Sequence, residues 1–374
     1  MKVDGQQRRT IWIDPLDPFG VSVINQRFLP HRFEVVVLTS LDECAEAISN
    51  MTVRGAPLIG VAAAYGMYLA ALHCSDKSNF ESHMLQAADR LLATRPTAVN
   101  LRWALDQQKA VLRSASASIE DKIDVLRKNA ERIADDDVRV CRKIAEFGLE
   151  IIENIYAKNP NRSINILTHC NAGWLCAVDW GTATAPIYQA FNQGIPVHVW
   201  VDETRPRNQG ASLTAWELEQ HGVPYSLITD NAGGHLMQNG KVDLVIVGTD
   251  RVTRGGDVAN KIGTYLKALA AKANDVPFYV AAPSSSIDWS LTEGRNIPIE
   301  ERDVDEVRYV TGLHNGELCS VLIAPANAKI SNFGFDVTPR HLITGLITER
   351  GVVESNEDAL VELFPEHRAA TTTT

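Results

Sequence analysis

Two short stretches hold the residue types best suited to chemistry. "ILTHCNAGW" sets Cys170 just beyond an apolar run, between His169 and Asn171, and "LVIVGTDR" sets Asp250 just beyond a second one. A thiol in such a place serves as small core packing, as a metal ligand, or as a nucleophile or base. An aspartate there caps a helix or works as an acid. Metal binding is the weakest of these readings. His169 and Cys170 are adjacent and project to opposite sides of an extended backbone, and no recognisable ligand set completes them. A cysteine hydrolase would need a base histidine with an orienting partner, and none of the ten histidines stands in such an arrangement.

Basic residues suggest what the pair would act on. In "TVRGAPLIG", Arg54 and Gly55 precede Pro57, which suits the first turn of a helix, and in "ATRPTAVNLRWAL" Arg95 precedes Pro96 in the same manner. Each predicts an arginine and free N–H groups beside a helix start, where phosphate is favoured. Each is equally satisfied by a capped turn with a surface arginine, so the pair gains meaning only if the fold brings both together. Two polar runs add candidates. "VDETRPRNQGASLTAWEL" carries Glu203, Thr204, Arg205, Arg207, Asn208 and Gln209, and "GDVANKIGTY" places Asn260 and Lys261 shortly after Asp250. No G-x-G-x-x-G follows a predicted strand and no Walker lysine pattern is present, so no nucleotide cofactor is expected.

The elements that must position these residues fall into two regions. From residue 158 to 374, "INILTH", "PVHVWVD", "YSLIT", "DLVIVGTD", "PFYVAA" and "SVLIAP" are short apolar or β-branched runs. Helix-compatible segments separate most of them, which predicts parallel strands with crossover helices and a Rossmann-like open sheet. Residues 1–157 read as a mainly helical domain after a strand-rich start in "RTIWID" and "FEVVVLTS". There "LDECAEAISNM" predicts a helix, and "PLIGVAAAYGMYLAAL", apolar nearly all round, predicts a buried one. A charged helix then runs through "ADDDVRVCRKIAEFGLEIIENIYA" to the turn "KNPNRS". The fold class is therefore α/β, with a terminal "AATTTT" expected to fray. Ligands of open α/β sheets sit outside the carboxyl ends of the strands. Cys170 and Asp250 both lie at such ends, on one edge of one sheet.

Composition limits the partners. The 374 residues are 45% hydrophobic, enough for a sizeable core, and carry a formal net charge of -10. That charge argues against broad nucleic-acid binding, which needs a basic face, while leaving room for a basic pocket. The six cysteines are scattered with no C-x-x-C, as expected of reduced thiols in the cytoplasm. "MKVDGQQRRTIWI" has no apolar signal core, and no stretch is long enough to span a bilayer.

Taken together and in order, "MTVRGAPLIGVAAAYG", "RPTAVNL", "LTHCNAG", "ETRPRNQGA", "VGTDRV", "GDVANKIGTY" and "FDVTP" resemble the methylthioribose-1-phosphate isomerase family. It is shared with other sugar-1-phosphate isomerases and with regulatory subunits of a translation-initiation nucleotide exchange factor. The resemblance runs from about residue 10 to 360 and implies a small N-terminal domain, a Rossmann-like C-terminal domain and a homodimer. It also implies a small sugar phosphate as substrate, opened and isomerised from aldose to ketose without metal or cofactor. Matched by motif, Cys170 and Asp250 fall on the family's catalytic pair. Arg54, Gly55, Ala56, Arg95, Gln209, Asn260 and Lys261 fall on its substrate-binding positions, and His169 is left a supporting role. The loop "VTRGGDV" departs from the family's small-residue form and puts Arg254 where it is expected to alter charge near the pocket.

Overall fold

Seventeen consecutive residues, Ala56–Leu72, carry no charge, and all from Ala56 to Ala71 are buried. A segment with no polar face must be surrounded by other elements. In the computed structural model it forms a helix threaded between helices Val99–Ser114 and Ile119–Lys158. Small residues permit the close approach: a Cβ at Gly60 would lie 2.8 Å from the Asn100 carbonyl oxygen. The structure describes residues 1–14, 17–74, 77–114 and 118–368. The terminal "AATTTT" lies outside the described residues.

"RTIWID" and "FEVVVLTS" supply strands Ile11–Asp14 and Val35–Leu38, which flank Asp17–Ile24 in a three-stranded antiparallel sheet. Helices Leu41–Ser49 and Phe80–Thr94 pack beside the buried one. The chain then enters the 40-residue helix Ile119–Lys158. The Ser118 side chain accepts from the Asp121 N–H at its start, and Glu120 and Asp121 suit the positive end of the dipole. Its first half, through Leu126, Ile133 and Val138, belongs to the core of the helical region. Its second half, through Ile144, Leu149 and Ile152, belongs to the core beneath the large sheet.

That sheet has seven strands. They are β1 (Ile164–Thr168), β2 (Val197–Asp202), β3 (Tyr225–Ile228), β4 (Leu244–Val247), β5 (Phe278–Ala281), β6 (Gly345–Thr348) and β7 (Gly351–Val353). The order across the sheet is 3-2-1-4-5-6-7, parallel except for β7. Helices Ala185–Asn192, Ala215–His221, Ala232–Gln238 and Thr264–Ala273 make the crossovers. This is the Rossmann-like α/β arrangement expected. The strand order reverses between β1 and β4, and a crevice opens at that seam, outside the strand ends. Among the described residues no helix is long and apolar enough to cross a membrane.

One expected strand lies elsewhere. "SVLIAP" is not part of the parallel sheet. Its first residues end strand Glu317–Leu322, which pairs antiparallel with Tyr309–His314 in a separate hairpin. Asn315 and Gly316 both take positive φ, the two-residue turn that an Asn-Gly pair favours. The sixth parallel strand is "GLIT", whose four residues are all buried. The local signal that separates hairpin from sheet is the Asn-Gly turn, which follows directly on the strand Tyr309–His314.

Candidate active site

Cys170 follows β1 with φ of 66°, a left-handed conformation that strains a residue bearing a Cβ by about 1–3 kcal/mol. Two threonine hydroxyls hold it there. The Cys170 N–H donates to Thr204 Oγ1 (2.8 Å), and Thr214 Oγ1 donates to the Cys170 carbonyl (2.6 Å). Thr204 is fixed in turn, since its N–H and that of Arg205 both donate to the Asp230 carboxylate (2.7 and 2.8 Å). Asp250 follows β4, the neighbour of β1, and its N–H donates to the Ala259 carbonyl (3.0 Å). The seam of the sheet therefore brings thiol and carboxyl to one cleft.

The cleft joins residues from both regions. Arg54, Gly55, Ala56, Arg95, Gln209 and Lys261 line it with Cys170 and Asp250. Asn260 lines an adjoining recess that shares Arg54, Cys170 and Asp250 with the cleft. All nine residues expected from sequence thus meet at one place. Gly55 takes φ of 102°, and a Cβ there would lie 2.5 Å from Cys176, so no other residue passes. Helix Ala56–Leu72 begins beside it without a side-chain cap. The Arg95 expectation needs one correction. Arg95 ends helix Phe80–Thr94, and the next helix begins at Val99, so Pro96 is not in a first turn. The guanidinium reaches the cleft all the same.

Burial dominates the protonation of the pair. It pushes the Cys170 thiol above its usual range, and Arg54 and Lys261 offset this only in part. It pushes the Asp250 carboxyl up as well, against the pull of Lys261, Arg95 and Arg54. Lys261 is pulled down by the same burial, with Cys170 and Asp250 opposing; its Nζ donates to the Gly334 carbonyl (2.9 Å). At neutral pH the arrangement favours a thiol, not the thiolate that nearby arginines and helix dipoles would give.

His169 is buried behind the pair. Its Nδ1 lies 2.8 Å from Asp202 Oδ2 and its Nε2 lies 2.8 Å from the Ile262 carbonyl, which turns the ring away from chemistry. Among the described residues His169, Asp202 and Asp230 are close enough to share a cation. Lys267 Nζ already stands 3.1 Å from Asp202 Oδ2 and supplies the positive charge, so the donor set does not fit a metal.

Sequence reasoning missed part of the wall. Ile299 and Arg302 line the cleft from the charge run "PIEERDVDEVR", and Ile297 is the residue just before it. Arg207, noted only as part of a polar run, is there too. These arginines are paired. Glu300 bridges Arg95 (3.0 Å) and Arg302 (2.8 Å), and Glu306 takes Arg302 (2.7 Å) and Arg207 (2.9 Å). Burial alone would raise Glu306, but Arg302 and Arg207 hold it down at about 2. Arg254, expected to alter charge near the pocket, does not line it. Its Nε pairs with Glu357 at 2.7 Å.

The chain matches the model of the Initiation factor 2 subunit family over residues 52–355. A methylthioribose-1-phosphate isomerase from Desulfatibacillum aliphaticivorans is 55% identical over 367 residues, which cover 98% of this chain and 99% of that one. Among solved structures, 5-methylthioribose 1-phosphate isomerase from Pyrococcus horikoshii is 40% identical with a TM-score of 0.83, covering 96% of this chain and 97% of that one. The translation initiation factor eIF-2B subunit delta from A. fulgidus is 38% identical with a TM-score of 0.78, covering 96% and 100%.

Proposed function

We propose, from the premise that the chain belongs to the Initiation factor 2 subunit family, that it is an aldose–ketose isomerase. It converts 5-methylthioribose 1-phosphate into 5-methylthioribulose 1-phosphate, a step of methionine salvage. The observation that carries this reading is the meeting of Cys170 and Asp250 at the seam of the sheet, in a cleft lined by Arg54, Arg95 and Lys261. An exchange-factor subunit has no use for such a pair, and this supports the enzyme over the scaffold. Assembly as a homodimer and a place in the cytoplasm complete the reading, on the family resemblance and the cysteine usage.

The chemistry follows from the substrate. Phosphate on O1 blocks the spontaneous opening that a free aldose undergoes, so the ring oxygen needs a proton donor. Asp250, whose carboxyl burial pushes above the usual carboxylate range, is that donor: its proton goes to the ring oxygen as the C1–O bond breaks. Hydrogen then moves from C2 to C1 while the C2 hydroxyl loses its proton. A resting thiol favours a hydride shift over abstraction of the C2 hydrogen by Cys170. The Cys170 sulfur takes the hydroxyl proton as its own passes to the Asp250 carboxylate, and both groups return to their starting states. No electron leaves the substrate, so no redox partner is required. Arg54, Arg95 and Lys261 hold the phosphate, keeping the open chain in reach.

The cleft also bears on which sugar phosphate is used. Met51, Ile59, Ile297, Ile299 and Phe335 offer an apolar wall, and the additional arginines are matched by Glu300 and Glu306. An apolar methylthio group suits that wall better than a second phosphate does. The test is ketose formation followed by NMR, with purified protein, EDTA and no added cofactor. 5-Methylthioribose 1-phosphate should turn over far faster than ribose 1,5-bisphosphate, with 5-deoxyribose 1-phosphate as the intermediate case. Substrate deuterated at C2 should keep its label at C1. Label lost to water would replace the hydride shift with proton abstraction, and no ketose from any substrate would favour the exchange-factor reading.

A further inference from the structure

Behind the loop that follows Cys170 sits a carboxylate that no step above uses. Glu217, on helix Ala215–His221, has no exposed surface. Its Oε1 accepts from the Leu175 N–H (2.6 Å) and Asn171 Nδ2 (3.1 Å). Its Oε2 accepts from the Trp174 N–H (3.2 Å) and the Tyr188 hydroxyl (3.1 Å). Three of these donors belong to residues 171–175, so the loop after Cys170 is wrapped around one buried charge. The wrapping is close: a Cβ at Gly173 would fall 1.6 Å from Oε2, and only glycine fits. Burying a carboxylate is expensive, and an apolar side chain of similar size commonly fills such a space at lower cost. What the carboxylate adds is direction.

Asn171 transmits that direction. Its Nδ2 faces Glu217 Oε1 and Thr214 Oγ1 (3.2 Å), so its Oδ1 faces the other way and accepts from Arg54 Nη1 at 2.6 Å. The same Nη1 also donates to the Asn171 carbonyl (3.1 Å). Turning the amide over would set its oxygen against a carboxylate and its NH2 against a guanidinium, two repulsive contacts in place of two bonds. Glu217 therefore decides which way the amide points, and the amide decides where Arg54 stands.

We infer that Glu217 is a positioning residue: through Asn171 it fixes the Arg54 guanidinium at the cleft and so sets how the substrate phosphate is held. The inference rests on the isomerase reading above. It is tested by a double-mutant cycle at pH 8 with Glu217→Gln, Arg54→Ala and the pair, reading KM and kcat for 5-methylthioribose 1-phosphate and the Kd of inorganic phosphate. Glu217→Gln keeps the shape but sets an amide NH2 against a loop N–H and weakens the hold on Asn171. It should raise KM and the phosphate Kd by about tenfold, the scale of one misplaced charge-assisted hydrogen bond, with a smaller change in kcat. On the Arg54→Ala background the same change should add less than about twofold. Factors that multiply, or a KM unchanged in Glu217→Gln, would overturn the inference. Should Glu217→Gln fail to fold, Asn171→Ala removes the link and leaves Glu217 its other three donors. It should reproduce the rise in KM, and a wild-type KM would count against the inference. A wild-type protein that isomerises no sugar 1-phosphate would sink the isomerase reading instead, while the phosphate affinities would still judge the Glu217 link.

Discussion

Glu217 also makes stability depend on pH in a way that can be calculated. Its carboxyl is raised by burial from 4.5 to about 7, against the pull of the Leu175 N–H, Asn171, Tyr188 and Arg54. The folded protein thus holds this proton more tightly than the unfolded chain. The stabilisation is fully present below pH 4.5 and is lost as pH rises to about 7, where both states are ionised. The difference of roughly 2.5 pKa units corresponds to about 3 kcal/mol. Glu217→Gln removes the titration while keeping the side chain's shape. Urea unfolding of both proteins from pH 4.5 to 8.5 isolates the effect, because other groups cancel in the difference. Relative to Glu217→Gln, the wild type should lose about 3 kcal/mol over that interval, most of it below pH 7. A flat difference would mean that the folded and unfolded states bind this proton equally, with no net shift at Glu217. A difference that grows in favour of the wild type would mean that the four donors outweigh burial. Either result refutes the balance of forces argued here.

Cys170→Ala and Asp250→Asn should each lower turnover by about 10²–10⁴-fold, the usual range for a lost acid or base, with circular dichroism unchanged. Wild-type turnover in either variant removes that residue from the mechanism. Thr204→Val leaves the buried Cys170 N–H without its acceptor, so urea unfolding should show a loss of about 1–3 kcal/mol. Cys170 should relax from its left-handed backbone in the same variant, with kcat down tenfold or more; an unchanged kcat would show that the threonine bond does not place the thiol. Glu300→Gln frees Arg95 and Arg302 from a shared counter-charge. Calorimetry should then show inorganic phosphate binding about threefold tighter, and weaker binding would show that Glu300 positions Arg95 instead of competing for it.

What the sequence revealed follows from what is local. Cys170 and Asp250 could be singled out because each ends an apolar run, and a parallel strand order puts such ends on one edge. Arg54 was legible because Gly55 and Pro57 mark a helix start beside it. Arg302, Ile297 and Ile299 were not, since a charge run reads as a solvated surface until the fold turns it inward. Arg254 misled for the opposite reason. It is near Asp250 in the chain, yet Glu357, more than a hundred residues away, takes its charge. Glu217 gave no signal, because a glutamate in a short amphipathic helix looks the same whether it faces water or a buried loop. The strand "GLIT" was too short to be distinguished from a loop, and "SVLIAP" took its place in the reading.

The helix Ile119–Lys158 has a consequence for how the molecule comes apart. Leu126, Ile133 and Val138 are anchored in one core and Ile144, Leu149 and Ile152 in the other. Truncating one such side chain typically costs about 2–5 kcal/mol. Neither core can melt without stripping half the packing from this shared rod, and a bare helical half has little stability of its own in water. The two regions are thereby joined into one cooperative unit. Amide protons along the rod should exchange together, through a single opening, and a chain cut at residue 157 would leave the second core without one of its walls.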